Sequence, residues 1–339
     1  MRVEWERLRI ETRHPFRISR GVRSHEQVVW VRLEAEGLEG WGEADPSAYY
    51  GESADSVEAA LGRLAALLEA VDEPWALETL ETECRRLCPG DGAARAAVAA
   101  AMQDWQGKRL GQPVWRLWGL DPSSAPLSSF TIGIDEPEVV AEKVREARGF
   151  PILKLKLGTG RDEELLRAVR AAAPDVVLRV DANAAWTPEG ALEGIGLLLD
   201  YGVEFVEQPL PPEDRDGLRY VFERSSLPII LDESCIVAQD IPGLVGLADG
   251  INIKLAKCGG PREALRMIHT ARACGLKVMM GCMLETSLGI GAAAQLAPLL
   301  DYADLDGAAL IANDPFEGPH LEGGRIVLGE TPGLGVGLR

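Results

Sequence analysis

Five ionisable residues recur through the second half of this chain at nearly even steps. Lys156, Asp181, Glu207, Asp232 and Lys254 are separated by 25, 26, 25 and 22 positions. Each stands at or near the C-terminal end of an apolar run, in ILKLK, VVLRVDAN, VEFVEQP, PIILDES and INIKLAK. Such runs read as buried strands. Lys154 lies two residues before Lys156, so a strand turns both ammonium groups to one face. Burying two neighbouring cations is costly unless anions or a task hold them there. Asp181, Glu207 and Asp232 form an all-oxygen set without His or Cys, which favours a hard divalent cation, Mg²⁺ with positions left for water or substrate. A lysine on each side of one carbon can remove a proton from one face and return it to the other, which inverts a stereocentre. That proton must lie α to a carboxylate, and a metal ion stabilises the enediolate left behind. Each lysine must be neutral to act as a base, and Mg²⁺ together with Lys154 is expected to lower its pKa. Separate strand-end carboxylates that cap loops or pair with arginines are the plainer alternative, and the even spacing of three argues against it. Lys257 reads as a side chain snorkelling at a rim.

These residues need a scaffold that brings distant strand ends together. A β/α unit recurring at this step builds a parallel barrel, whose active site lies at the C-terminal strand ends. Eight strand candidates run from Ser128 to Asp306. Lys156 on the second and Lys254 on the sixth then face one another across the mouth. Thr187-Pro188-Glu189 opens a helix and Gly202 lies past its end.

Residues 2–13 and 27–44 alternate with a period of two, which predicts an antiparallel meander with Gly37 and Gly40 as turn candidates. The polar, arginine-bearing stretch 14–26 between them reads as a functional flap. From about Ser53 the period becomes helical, with Leu61, Leu64, Leu67 and Leu68 on one face and Ser53 or Asp55 as the cap. The alanine-rich ARAAVAAAMQDWQGKRLG is a helix ended by Gly111 and Pro113. The expected division is an α+β domain over 1–122, a barrel over 123–311, and a turn-rich tail over 312–339 that returns to the first domain.

With 339 residues and 46% hydrophobic content the composition is that of a soluble globular protein. A net charge of −18 repels phosphates and argues against nucleic-acid binding. No apolar run approaches the roughly 20 residues of a membrane span, and MRVEWERLRI lacks the apolar segment of a secretory signal. Six cysteines without a CxxC pair fit reduced thiols. A cytoplasmic enzyme is expected.

Motifs along nearly the whole chain then carry a likeness: GWGEA, DWQGKRLGQP, KLK, DANAAW, VEQPL, DES, NIKLAKCGG and GCMLETS. The chain resembles the enolase superfamily, specifically its muconate-lactonising subgroup. That resemblance implies a (β/α)7β-barrel, a modified TIM barrel, under an α+β capping domain built from the N-terminal region and the C-terminal tail. It implies Asp181, Glu207 and Asp232 as ligands of one Mg²⁺ per subunit, with Lys156 and Lys254 as the acid/base pair. Lys154 matches the first lysine of the KxK motif, which assists electrostatically.

Members of the subgroup differ in substrate, and Tyr302-Ala303-Asp304-Leu305-Asp306-Gly307 is the deciding stretch. Asp304 and Asp306 make an anionic clamp suited to a free ammonium and hostile to a dicarboxylate, as in the DxD motif of dipeptide epimerases. Arg23 matches the arginine that reaches a side-chain carboxylate in L-Ala-D/L-Glu epimerases, and Tyr50 belongs to the same selecting loops. Glu52 or Glu285, if either lined the pocket, would favour a basic substrate. The expected activity is epimerisation of a dipeptide at the α-carbon of its C-terminal residue, with L-Ala-D/L-Glu favoured and peptidoglycan recycling as the role. An N-succinylamino acid racemase, an o-succinylbenzoate synthase, or an epimerase of hydrophobic or cationic dipeptides stays open. A homo-oligomer is expected.

Overall fold

The computed structural model describes residues 1–71 and 74–339. Its first part is a three-stranded antiparallel sheet, β1 (Arg2–Ile18), β2 (Gly21–Ala35) and β3 (Leu38–Ala44). Helices α1 (Ala54–Glu69) and α3 (Gly92–Leu110) pack on it, α2 (Leu77–Leu87) packs against those two helices, and the short α4 (Val114–Leu117) follows. Ser53 caps α1, its hydroxyl accepting from the Ser56 amide at 3.2 Å. Gly37 turns β2 into β3 at φ 74°, whereas Gly40, expected at a turn, lies inside β3. There it serves close packing. A Cβ on Gly40 would stand 1.9 Å from the Ala101 carbonyl and one on Gly42 2.0 Å from that of Ala97. The GWG sequence therefore lets the alanine face of α3 press onto the strand.

The stretch 14–26 is not a loop. Both strands continue through it to a two-residue turn at Ser19–Arg20, with the register shifting between Glu11 and Phe16. Most of its side chains are exposed, so no apolar alternation marked it as strand.

Eight parallel strands follow in strict sequence order: β4 (Phe130–Ile132), β5 (Ile152–Lys156), β6 (Val177–Asp181), β7 (Val203–Glu207), β8 (Ile229–Leu231), β9 (Gly250–Ile253), β10 (Lys277–Gly281) and β11 (Tyr302–Asp304). The barrel closes only narrowly, through a Ser128–Ala303 bridge. Its outer layer comprises α5 (Pro137–Glu146), α6 (Asp162–Ala172), α7 (Pro188–Asp200), α8 (Arg215–Phe222), α10 (Pro261–Ala273) and α11 (Ser287–Ala294). Two single turns, α9 (Leu255–Cys258) and α12 (Gly307–Leu310), follow β9 and β11 at the mouth. Thr187 caps α7, accepting from Gly190 N at 3.2 Å, and Gly202 lies past its end at φ 60°.

The tail carries β12 (Phe316–Glu317), β13 (His320–Glu322), β14 (Arg325–Val327) and β15 (Gly337–Leu338). Phe316 sets its ring edgewise against the stacked Trp30 and Trp41. Asp104 of α3 accepts from Trp41 N at 2.9 Å, Leu334 N at 2.7 Å and Lys108 Nζ at 2.6 Å, so one buried carboxylate joins helix, sheet and tail. The cap also meets the barrel backbone to backbone: a Cβ on Gly92 would lie 2.6 Å from the Ala256 carbonyl. No helix among the described residues is long and apolar enough to cross a membrane.

Glu43 of β3 reaches across to α11, accepting from the Thr286 amide at 2.9 Å and from the Thr286 hydroxyl. Burial pushes its pKa up to about 8 against the opposing Thr286 hydrogen bonds, and neighbouring Glu285 adds to the rise. A raised carboxyl pKa means the folded state holds a proton that the unfolded chain has released. This contribution is fully present below the ordinary value of 4.5 and is lost as pH rises through about 8. Glu43→Gln is therefore expected to gain thermal stability relative to the parent between pH 6 and pH 9. Melting curves with a pH-independent offset would show that Glu43 stays ionised in the fold.

Candidate active site

The barrel mouth opens into a cavity of about 490 Å³ beneath the tip of the β1–β2 hairpin. Lys154 and Lys156 face it from β5, and Lys254 follows β9. These strands are second and sixth of eight, so Lys156 and Lys254 approach from opposite sides. Asp181, Glu207 and Asp232 sit at the ends of the third, fourth and fifth strands, almost wholly buried.

Each carboxylate meets an ammonium. Asp181 Oδ2 lies 2.5 Å from Lys156 Nζ and 3.4 Å from Lys154 Nζ. Burial opposes its charge, but the two lysines outweigh that and hold its pKa down at about 2. Asp232 contacts Lys254 at 2.8 Å and Lys257 at 2.6 Å. Those two cations overcome burial and lower its pKa as well. Glu207 differs. Burial, with Asp181 close by, pushes it up to about 7. Its Oε1 accepts from Asn252 Nδ2 at 2.8 Å. Its Oε2 lies 2.6 Å from Lys154 Nζ but is not aligned for a hydrogen bond.

Lys257 is not a rim residue. It is completely buried, donating to the Asp232 carboxylate and to the carbonyls of Asp232, Cys235 and Asn252 at 2.6 to 3.1 Å. The α9 turn points it inward, which strand alternation could not reveal. Lys254 lies against the Asp232 carboxylate. Burial lowers its pKa, but the Asp232 carboxylate more than offsets this and the pKa rises.

Asp304 ends β11 and accepts from Ser129 Oγ at 2.6 Å, Lys154 Nζ at 2.8 Å and Thr131 Oγ1 at 3.3 Å. Asp306 lies beyond the strand and accepts from Thr131 N at 2.6 Å. Both line the cavity. Burial and the Asp304 charge raise Asp306 to about 7, whereas Asp304 is lowered because Lys154 outweighs burial.

Arg23 and Tyr50 are on the cavity wall, Tyr50 edge-on to Tyr49. The Arg23 guanidinium is paired with Glu26 at 2.5 Å. Glu52 and Glu285 do not line the cavity; they accept backbone amides from Ala93 and Met283. Sequence reasoning missed Arg20, which projects from the hairpin tip to Glu233 at 2.7 Å and the Asn183 carbonyl at 2.9 Å, over the Tyr49 ring. It also missed Gln208, whose Oε1 accepts from Asp232 N at 3.0 Å and Ser234 N at 3.2 Å, fixing the DES turn. The available signal was polar residues beside the marked acids, in VEQPL and DAN. Asn183, Ala184 and Gln208 all hold positive φ, so backbone strain clusters here.

The donor set fits a divalent cation in chemistry: three buried carboxylates and no nitrogen or sulfur ligand. Glu207 Oε2 is buried without a hydrogen bond, and its one cationic partner, Lys154, is shared with Asp181 and Asp304. Among the described residues no three acidic groups converge at ligand distance; the carboxylates are turned to lysines instead.

Strand-end carboxylates flanked by opposed lysines, in a barrel roofed by an α+β cap, define an enolase-type enzyme. Residues 4–119 match the mandelate racemase / muconate lactonizing enzyme N-terminal domain, and residues 138–339 match the enolase C-terminal domain-like family. An L-Ala-D/L-Glu epimerase of Bacteroides thetaiotaomicron is 43% identical over 329 residues, covering 96% of this chain and 85% of that protein. An L-Ala-D/L-amino acid epimerase of a Maribacter species is 38% identical over 341 residues, covering 100% and 99%. The crystal structure of a dipeptide epimerase from Enterococcus faecalis, complexed with Mg and L-Leu-L-Tyr, superposes with a TM-score of 0.94 at 36% identity, covering 99% of this chain and 98% of that one. The chain belongs to the mandelate racemase/muconate-lactonizing family of the enolase superfamily, and like these relatives it is an isomerase.

Removing one partner of a buried ion pair costs about 3–5 kcal/mol. Lys257→Met is expected to lower the unfolding free energy by roughly that amount and to abolish activity by releasing Asp232. Urea titration measures it, and a loss below about 1 kcal/mol would place Lys257 in solvent instead.

Proposed function

We propose that this chain is a Mg²⁺-dependent dipeptide epimerase that inverts the α-carbon of the C-terminal residue by two-base proton transfer. One observation carries the reading: two lysines oppose each other across a cavity with three carboxylates beneath and an aspartate pair at one side. Asp181, Glu207 and Asp232 would hold the ion, which when bound supplies positive charge to a substrate carboxylate as negative charge develops there. The named structure complexed with Mg supports this choice.

The protein's own groups do the rest. Asp304 and Asp306 receive the ammonium of the N-terminal residue and so set the peptide's direction. Lys154 neutralises Asp304 and Glu207 from below. Lys156 takes the α-proton of one stereoisomer while Lys254 returns a proton to the opposite face; the roles reverse for the other isomer. Lys254 Nζ contacts Asp232 at 2.8 Å, and as a base it must first release its proton.

The C-terminal side chain would point to the hairpin tip, where Arg20 and Arg23 favour a carboxylate and Val22, Ile18 and Leu284 favour an apolar group. The 43% relative supports L-Ala-D/L-Glu, and hence a part in recycling cell-wall peptides. The structure bound to L-Leu-L-Tyr supports the apolar alternative. Residues 1–122 with the tail 312–339 would act as the cap and 123–311 as the catalytic barrel. Six free cysteines suit a reducing, cytoplasmic setting.

Lys156→Ala and Lys254→Ala should each abolish epimerisation while retaining α-proton exchange with one substrate stereoisomer, opposite isomers for the two variants. Mass spectrometry in D₂O reads this, and undiminished epimerisation in both variants would refute the two-base scheme. Asp304→Asn separates the rival assignment. It should cripple turnover of dipeptides, whose ammonium loses its partner, yet spare an N-succinylamino acid, which has none; equal loss on both substrates would point to Asp304 as a structural group.

A further inference from the structure

A second cavity of about 290 Å³ lies beside the first, and Phe16, Thr131 and Leu310 border both. The wall between them is weak for a topological reason. β4 and β11 are three residues each and bridge only at Ser128–Ala303, with Ser129 N donating to Ala303 O at 3.0 Å. The next amide facing that seam, Thr131 N, donates to the Asp306 carboxylate and not to backbone. Above that point the barrel is sealed by side chains alone. Phe16 and Leu310 are only partly buried, so neither is locked by packing.

We propose that this second cavity receives the side chain of the substrate's N-terminal residue, so that the enzyme accepts large apolar or aromatic residues there and not alanine alone. The inference rests on the epimerase reading and deepens it. An ammonium held by Asp304 and Asp306 lies beside Thr131, which hydrogen-bonds both acids. The side chain on the adjacent carbon then starts within a few bonds of the gap between Phe16 and Leu310. Beyond the gap, Phe130 and Phe150 offer an aromatic floor with ring centroids 4.7 Å apart. Of the charged groups lining it, His14 pairs with Glu146 at 2.8 Å, Lys143 pairs with Asp135 at 2.9 Å, and Arg13 donates to the Ala309 carbonyl at 3.0 Å. An apolar occupant therefore meets no unpaired acid.

The test compares L-Ala-L-Xaa, L-Leu-L-Xaa and L-Phe-L-Xaa in D₂O, with Xaa fixed as the residue best epimerised behind alanine. The parent enzyme should turn over the Leu and Phe substrates with kcat/KM within about tenfold of the Ala substrate. Ala309→Phe, on α12 and lining only the second cavity, should cut the L-Phe substrate by about tenfold or more while leaving the L-Ala substrate within about twofold. His14→Trp fills the cavity from its exposed rim and gives the same comparison if α12 rejects a ring. Turnover of L-Phe-L-Xaa at about a hundredth of the alanine substrate or less, or equal loss on both substrates in either variant, would overturn the proposal. Deuterium in no dipeptide at all would instead sink the epimerase reading itself.

Discussion

One buried ammonium organises the mouth of this barrel. Lys154 Nζ touches Glu207 at 2.6 Å, Asp304 at 2.8 Å and Asp181 at 3.4 Å, joining the second, third, fourth and eighth strands. Its own pKa is driven up because these carboxylates together outweigh the cost of its burial. Without it, three acids would crowd a space from which water is excluded, and their mutual repulsion would force protons onto them. With it, charge is close to balance but not complete, since burial and neighbouring carboxylates still raise Glu207 and Asp306 to about 7. A site short of positive charge is suited to receive more of it.

The cap is held together and to the barrel by polar contacts, two of them through buried carboxylates. Glu43 reaches Thr286, Asp104 ties α3 to the tail, and Arg20 reaches down to Glu233 beside Asp232. Buried charge-assisted bonds fix geometry more than they add stability. The hairpin tip, which selects substrate on the proposed reading, is thus referenced directly to the acid beside the fifth strand. Its position follows the site and not solvent.

The barrel, its strand count and the marked acids and lysines were legible because each occupies a short apolar run at a regular step. The capping helices were legible from leucine periodicity and the Ser53 cap. Three features were not. Most side chains of the hairpin extension are exposed, so residues 14–26 carry too little alternation and read as a loop. Lys257 lies on a single helical turn, where strand logic fails, and only contacts from the turn after β8 and from β9 explain its burial. Arg20 stands among Arg13, Arg17 and Arg23 in sequence, and nothing local distinguishes the one that turns inward to Glu233. Gly40 was visible as a glycine, but its purpose depends on Ala101, sixty-one positions away.

The absence of a side chain at Gly92 has a mechanical consequence. Its helix abuts the carbonyls of Ala256 and Lys257, in the turn that directly follows Lys254. Hard backbone contact transmits displacement with little give. A displacement of this capping helix is therefore passed straight to the turn that follows Lys254, so the roof and that side of the barrel mouth shift as one piece.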